Sequence, residues 1–331
     1  MSTIRDVAKE AGLSTGTVSK ALSAPKTVTP KNLAKVQLAI KKLNYKPNML
    51  SQMFRNKQSQ TIIVLVPDIA NLFFAQVISG IELVAQKNGY RVLLGDTKDE
   101  IKREKEFINM VETRLADGII NLRPYIEGDS VLPNINVIAV SAGGCENTPY
   151  PSVRIDNIGA SEKVVDYLIS LGHKNIGVIS GTSKNPHSVD RMQGYKKALA
   201  KANIPFNQKL VYEGDFNYWS GINASEYFIR LKDKMPTAVF SMNDEMAISA
   251  MKGFLNNGLR IPEDISITGF DDRKVSRYLN PALTTVSQPA EKIGEKSAEL
   301  LLQLIEGNSP NQIEFILPYD FVIRESTAVL K

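Results

Sequence analysis

Cysteine and histidine are scarce in this 331-residue chain: there is one cysteine, Cys145, and there are two histidines, His173 and His187. A single thiol excludes a disulfide framework and a multi-cysteine zinc site. Neither histidine lies in a nucleophile or metal-binding motif. His173, in LGHKNIG where a helix gives way to a strand, reads as a helix-terminal residue rather than a base. No Gly-x-Gly-x-x-Gly follows a strand and there is no P-loop, so the sequence indicates no enzyme class and no cofactor is expected. Apolar runs fall short of the ~20 residues that span a bilayer. The opening MSTIRDVAKE is too polar for a secretory signal, so a cytoplasmic location is expected. What is present is ordinary for a soluble globular protein: 43% hydrophobic and 23% charged residues, in a chain long enough for two or three domains.

Charge is unevenly distributed. Residues 1–60 carry eleven Lys/Arg against only Asp6 and Glu10, a local balance of +9, whereas the remainder is at −4. A basic head on a mildly acidic body points to a polyanion as partner of the head alone.

The pattern within the head names the polyanion. Thr3 with Asp6 forms a capping-box-like start, and Ile4, Val7, Ala8 and Ala11 form one helical stripe. Gly12 breaks the run, and Ser14 can cap a second helix holding Val18, Ala21 and Leu22. A small Ala8 lets the helices approach, Gly12 turns the chain and Val18 fills the space between them. That is a helix-turn-helix signature. A third helix is expected with Thr29 as its cap and Pro30 at its first position, and with Leu33, Val36, Ile40 and Leu43 as its buried face. In such a motif the second helix enters the major groove of double-stranded DNA. Its outward positions, Thr15, Gly16, Thr17, Ser19 and Lys20, are therefore the candidate contacts: Lys20 for guanine, Thr15 for a base edge or thymine methyl, the hydroxyls for phosphates.

Beyond residue 60 strands and helices alternate. TIIVLVP suits a strand buried on both faces; RVLLGD, DGIINL and INVIAV follow, separated by helices through Val77–Ala85 and Phe107–Val111. A second series has NIGVIS, KLVYEGD, TAVFSMN and DISITGF, with helices near 159–171, 192–202, 218–231 and from Asp244. LTTVSQP, a helix at 290–306 and strands around 312–323 close the chain. Strands joined by single helices imply parallel, doubly wound sheets. The expected fold is therefore an α-helical helix-turn-helix head plus an α/β body of two doubly wound parallel-sheet lobes.

TIRDVAKEAGLSTGTVSKAL, followed by a third helix and NYKPNMLSQMFR, resembles the LacI/GalR family of bacterial transcription repressors, and the likeness continues over essentially the whole chain. The resemblance implies a DNA-binding domain at 1–47, a hinge helix and linker at 48–60, and an effector-binding and dimerisation body at 61–331 like a periplasmic binding protein. The lobes would comprise about 61–158 with 290–318, and about 159–289 with 319–331. The hinge helix would pair with its dimer mate in the minor groove through Asn48, Ser51, Phe54 and Arg55, with Phe54 wedged between base steps. Phe54 as an anchor against the body is the structural alternative. Phe54, Ser51, Gln52 and Gly16 depart from the residues usual in the family, which leaves the operator sequence open.

The resemblance also implies a ligand cleft between the lobes, lined by the carboxyl ends of strands. Asn71, Phe73 and Phe74 follow the first strand, Ser141 follows INVIAV, and Asp156 precedes a helix. Arg191 in DRMQG matches the family's Arg-x-x-Gly; Phe216 would be a stacking wall, and Asn243 and Asp271 polar contacts. Phe73 or Phe74 could instead seal a helix on its sheet, and Asp156 or Asp271 could cap the elements they precede. Aromatic walls with Arg, Asn and Asp suit a sugar, sugar acid or nucleoside, and VPDI…FF with GIELVAQKNGYRVLLGD is most similar to cytidine-type repressors. The expected protein is a homodimeric repressor of operator DNA controlled by such an effector, by induction or corepression. Nothing after VIRESTAVLK argues for a tetramer. The alternative is a sugar-binding protein of transport or chemoreception, for which the head would have no purpose.

Overall fold

The computed structural model describes residues 2–46, 58–132, 136–145, 148–308 and 310–331. The chain forms two compact units, Met1–Ser59 and Gln60–Lys331. Asn48, Ser51, Phe54 and Arg55, and with them the expected hinge helix, lie outside the described residues.

In the head, α1 (Ile4–Ala11) opens on a reciprocal cap. The Thr3 amide donates to Asp6 Oδ2 at 2.8 Å, and the Asp6 amide donates to Thr3 Oγ1 at 3.4 Å. Gly12 ends α1 with φ 64°, a left-handed conformation that a residue without Cβ adopts freely. Ser14 then caps α2 (Thr15–Ser23) by accepting from the Thr17 amide at 3.1 Å. Pro30 begins α3 (Pro30–Leu43), which Thr29 precedes without making a side-chain cap. Val7, Ala8, Ala11, Val18, Ala21, Val36 and Ala39 form the buried centre, with Ile4, Leu22, Leu33, Ile40 and Leu43 packed around it.

Among the described residues the body holds two six-stranded sheets. The first runs in the order β11 (Glu314–Leu317), β5 (Ser152–Ile155), β4 (Ala139–Ala142), β3 (Gly118–Asn121), β1 (Thr61–Val66), β2 (Arg91–Asp96). All its pairings are parallel. Ile62–Val66 of β1 are fully buried, as a strand covered on both faces requires. Around this sheet lie α4 (Leu72–Lys87) and α5 (Ile101–Glu112), together with α10 (Ala290–Ile305), which crosses back from the far end of the sequence. α4 and α10 touch backbone to backbone: a Cβ on Gly80 would collide with the Glu291 carbonyl, and one on Gly294 with the Val77 carbonyl.

The second sheet runs β12 (Asp320–Val322), β10 (Thr284–Ser287), β9 (Ser266–Asp271), β8 (Ala238–Ser241), β6 (Ile176–Ser180), β7 (Val211–Glu213), parallel except for β12 on β10. Its helices are α6 (Asn157–Ser170), α7 (Pro186–Lys201), α8 (Tyr218–Arg230) and α9 (Asp244–Asn256). α7 begins six residues before the expected Met192, because Asn185 accepts from the His187 amide and Pro186 occupies the first helical position. Arg191 therefore projects from a formed helix rather than from a loop junction.

Candidate functional site

Parallel strands point their carboxyl ends the same way, so everything that follows a strand of the second sheet converges at one end of it. Gly181 follows β6, Phe216 follows β7, Met242 and Asn243 follow β8, Asp271 ends β9, and Gln288 follows β10. Arg191 reaches this end from α7. Its guanidinium is buried and lies 3.7 Å from the centre of the Phe270 ring, a cation–π stack. Nε donates to Asn157 Oδ1 at 3.0 Å, and Nη1 donates to the Met242 carbonyl. Burial presses its pKa down, while the negative charge of Asp271 works in the opposite direction.

Asp271 accepts from Gln288 Nε2 at 2.7 Å. Burial pushes its carboxyl up to about 6, although Arg191 and the Gln288 bond favour the ionised form. Its backbone, at φ 118°, is in a region that L-residues rarely occupy, as is Phe216 at φ 68°. Such positions cost of order 1–3 kcal/mol and gather at functional sites. Asn243 fixes Phe216: its Nδ2 donates to the Phe216 carbonyl at 2.8 Å, while its Oδ1 caps α9 by accepting from the Met246 amide at 2.9 Å. The Phe216 ring in turn lies against Gly181, where a Cβ would collide with it.

The first sheet presents its own carboxyl end. Ser141 is buried there at the end of β4, near Tyr150, whose hydroxyl accepts from Asn121 Nδ2 at 3.3 Å and is pushed up to about 12 by burial. Arg123, just past β3, is enclosed by carboxylates: Asp99 at 3.2 Å, Glu104 at 3.4 Å and Asp129 at 2.5 Å. A contact between Cys145 and His187 joins the two ends. Cys145 Sγ, past β4, lies 3.2 Å from His187 Nδ1 in the first turn of α7. Burial, with the Arg191 charge beside it, pushes His187 down to about 3, so the imidazole is neutral.

Not every expected residue joins this constellation. Asn71 caps α4 by accepting from the Phe73 amide at 3.0 Å. Phe73 and Phe74 form an edge-to-face pair, with centroids 5.7 Å apart, packed on the body's core. Asp156 is exposed and accepts from the Gly159 amide at 2.8 Å as the cap of α6. Sequence reasoning passed over Asn157, Gln288, Phe270, Cys145 and His187. The NIG after Asp156 and the SQP that begins on the last residue of β10 were the available signals, because both sit where a strand ends. Asp244, also passed over, is fully buried and held by the Ser276 hydroxyl at 2.6 Å, the Thr285 hydroxyl at 2.5 Å and the Arg273 amide at 2.8 Å.

On the head, Thr15, Gly16 and Lys20 of α2 are exposed. Thr17 and Ser19 are half-buried, and Thr17 Oγ1 is 2.9 Å from Ser14 Oγ. Among the described residues there is no cluster of three His, Cys, Asp or Glu able to hold a metal, and no helix is long and apolar enough to cross a membrane.

A helix-turn-helix head joined in sequence to a two-lobed α/β body with a polar constellation where the sheets end defines a ligand-responsive regulator. Residues 3–48 match bacterial regulatory proteins of the lacI family, and residues 165–327 match the periplasmic binding protein-like domain. The chain is 35% identical over 331 residues to the HTH-type transcriptional repressor CytR of Escherichia coli (strain K12), covering 99% of this chain and 97% of that one. It is 35% identical to catabolite control protein A of Priestia megaterium, over 98% of this chain and 99% of that relative. Among solved structures, the lac repressor dimer bound to operator and the anti-inducer ONPF superposes with a TM-score of 0.89 at 29% identity, covering 99% of both chains. The CelR–cellobiose complex has a TM-score of 0.74 at 29% identity, over 98% of this chain and 100% of that one. The chain belongs to the LacI family of DNA-binding transcription regulators, and its relatives are regulators, not enzymes.

Proposed function

We propose that this protein is a homodimeric repressor whose affinity for double-stranded operator DNA is set by a small polyhydroxylated effector held where the two sheets end. Thr15, Gly16, Thr17, Ser19 and Lys20 of α2 are the proposed readers of the major groove, with Asn48, Ser51, Phe54 and Arg55 acting in the minor groove. Arg191, Phe216, Asn243 and Asp271 are the proposed effector contacts, with Asn157 and Gln288 orienting Arg191 and Asp271.

The observation that carries this reading is the buried Arg191 guanidinium. It is stacked on Phe270 and sits near a carboxylate that burial has raised to about 6. A fixed donor fork beside a readily protonated carboxyl can donate to and accept from neighbouring hydroxyl groups, as vicinal diols require. A purely apolar ligand would offer nothing to the Arg191 donors that Asn157 and Met242 do not take or to the Asp271 oxygen that Gln288 does not reach, and would remove water from them at a cost. Sugars, sugar acids and nucleosides all meet the requirement, and cellobiose in the CelR complex is one such molecule. A screen of these three classes by thermal shift tests the proposal, since a ligand of the native state raises its transition temperature. At least one class must stabilise the wild type, and the same compound must fail on Asp271→Asn.

A further inference from the structure

A cavity of about 490 Å³ lies on the opposite side of α7 from Arg191. Positions 188, 189, 192, 193 and 196 of α7 fall on one helical face and line it, while Arg191, Gly194 and Tyr195 fall on the other. Its far wall is the segment from Phe206 to Glu213, including edge strand β7. The constellation described above uses none of the α7 residues that line it.

The charges at its ends are not neutralised by neighbours. Of the three lysines on the later turns of α7, Lys197 pairs with Glu162 at 2.8 Å and Lys201 with Asp166 at 2.6 Å. Lys196 makes no ion pair among the described residues; its ammonium lies 4.6 Å from the Phe206 ring, which is itself held edge-on by Tyr195. At the other end the Glu213 carboxylate accepts from the Ser183 amide at 2.7 Å, which holds it below the ordinary glutamate range, so it is ionised. It too makes no ion pair among the described residues. The Ser188 hydroxyl, which lines the same cavity and lies against Gly181, is 97% buried with its residue and has no hydrogen-bond partner among the described residues. An unpaired buried hydroxyl is costly, and a ligand group at this end would satisfy it. Between the ends, Met192 and Val211 offer apolar surface and Gln193 and Gln208 offer amides.

Ser188 to Lys196 spans about 12 Å of helix axis, roughly the length of three extended residues. We propose that this groove binds a short peptide-like zwitterion, its amine toward Glu213 and Ser188, its carboxylate toward Lys196, and an apolar side chain on Met192 and Phe206. The groove adjoins the proposed effector site at Gly181, which lines the one and backs the Phe216 ring of the other, but its occupancy does not depend on that site.

Calorimetric titration of the full chain with Ala-Leu-Ala, its N-acetyl form and its C-terminal amide tests this. The free peptide should bind once per chain, and blocking either terminus should weaken binding roughly tenfold. Lys196→Gln should abolish the penalty for amidation and Glu213→Gln the penalty for acetylation, with the thermal transition of each peptide-free variant unchanged. No saturable binding up to about 10 mM, equal affinity for the three peptides, or penalties that persist in both variants would overturn the proposal.

Discussion

The two sheets of the body end on opposite solutions to the same problem, a buried arginine. Past the first sheet, Arg123 is surrounded by Asp99, Glu104 and Asp129, so its donors are already taken. Burial raises Glu104 even with Arg123 beside it, as expected where acids outnumber the base. Past the second sheet, Arg191 has no ion pair among the described residues; it rests on an aromatic face and donates to an amide oxygen and a carbonyl. A closed charge knot stabilises a loop. An arginine held by neutral groups keeps electrostatic capacity for something that arrives later. Recognition should therefore be concentrated on the second sheet, with the first supplying a wall.

Arg191→Leu should have the largest effect, because it leaves Asn157 Oδ1 and the Met242 carbonyl without their donor and removes the positive charge that favours ionised Asp271. We expect a loss of roughly 3 kcal/mol in urea unfolding and complete loss of effector binding. Arg123→Met should destabilise the body by a similar amount, roughly 3 kcal/mol, by leaving carboxylates unpaired. It should nevertheless leave effector affinity within about twofold at a temperature where both proteins are folded. Equal loss of binding in the two variants would erase the distinction between the ends.

The acidity of the second end provides a finer test. Asp271 is raised to about 6, and Asp244, principally through burial, to about 7. An acid whose pKa is higher in the folded state stabilises the fold fully below its unfolded pKa, near 3.8. That contribution is lost as pH rises through the folded value. Stability of the ligand-free body should thus fall between about pH 4 and pH 7, and Asp244→Asn should flatten the upper part of that slope in denaturant titrations at fixed pH. The smallest effect belongs to the head: Thr3→Ala removes one half of the cap on α1 and should cost about 1 kcal/mol of head stability, read by amide exchange in α1.

The head was legible because its signals are local. Thr3 and Asp6, Gly12, and Ser14 with Thr17 are all separated by a few residues, and each acts within its own turn of chain. The alternation of strands and helices was legible for the same reason. Phe216, Asn243 and Asp271 could be placed because each follows a strand. Partnerships across the fold could not. Cys145 and His187 are 42 positions apart, and Arg191 and Asn157 are 34 apart. No spacing rule connects such pairs; only the superposition of strand ends does. The Arg123 knot was hidden likewise, since Asp99, Glu104 and Asp129 flank it from three different segments. The three caps, Asn71, Asp156 and Asn243, show the reverse difficulty. An Asx residue before a helix looks the same in sequence whether its oxygen meets a backbone amide or a ligand.

The chain has a single tryptophan, Trp219, exposed in the first turn of α8 three residues past Phe216. Its fluorescence should report ligand arrival at the second sheet. The direct test is to titrate the full chain with the compound found by thermal shift, following Trp219 emission and affinity for DNA selected by the protein from a random pool. Coupling between the second sheet and the head requires that both signals change with the same midpoint in the wild type and that neither changes in Asp271→Asn. A ligand that moves Trp219 emission while leaving DNA affinity unaltered, or one that acts equally on Asp271→Asn, would contradict it.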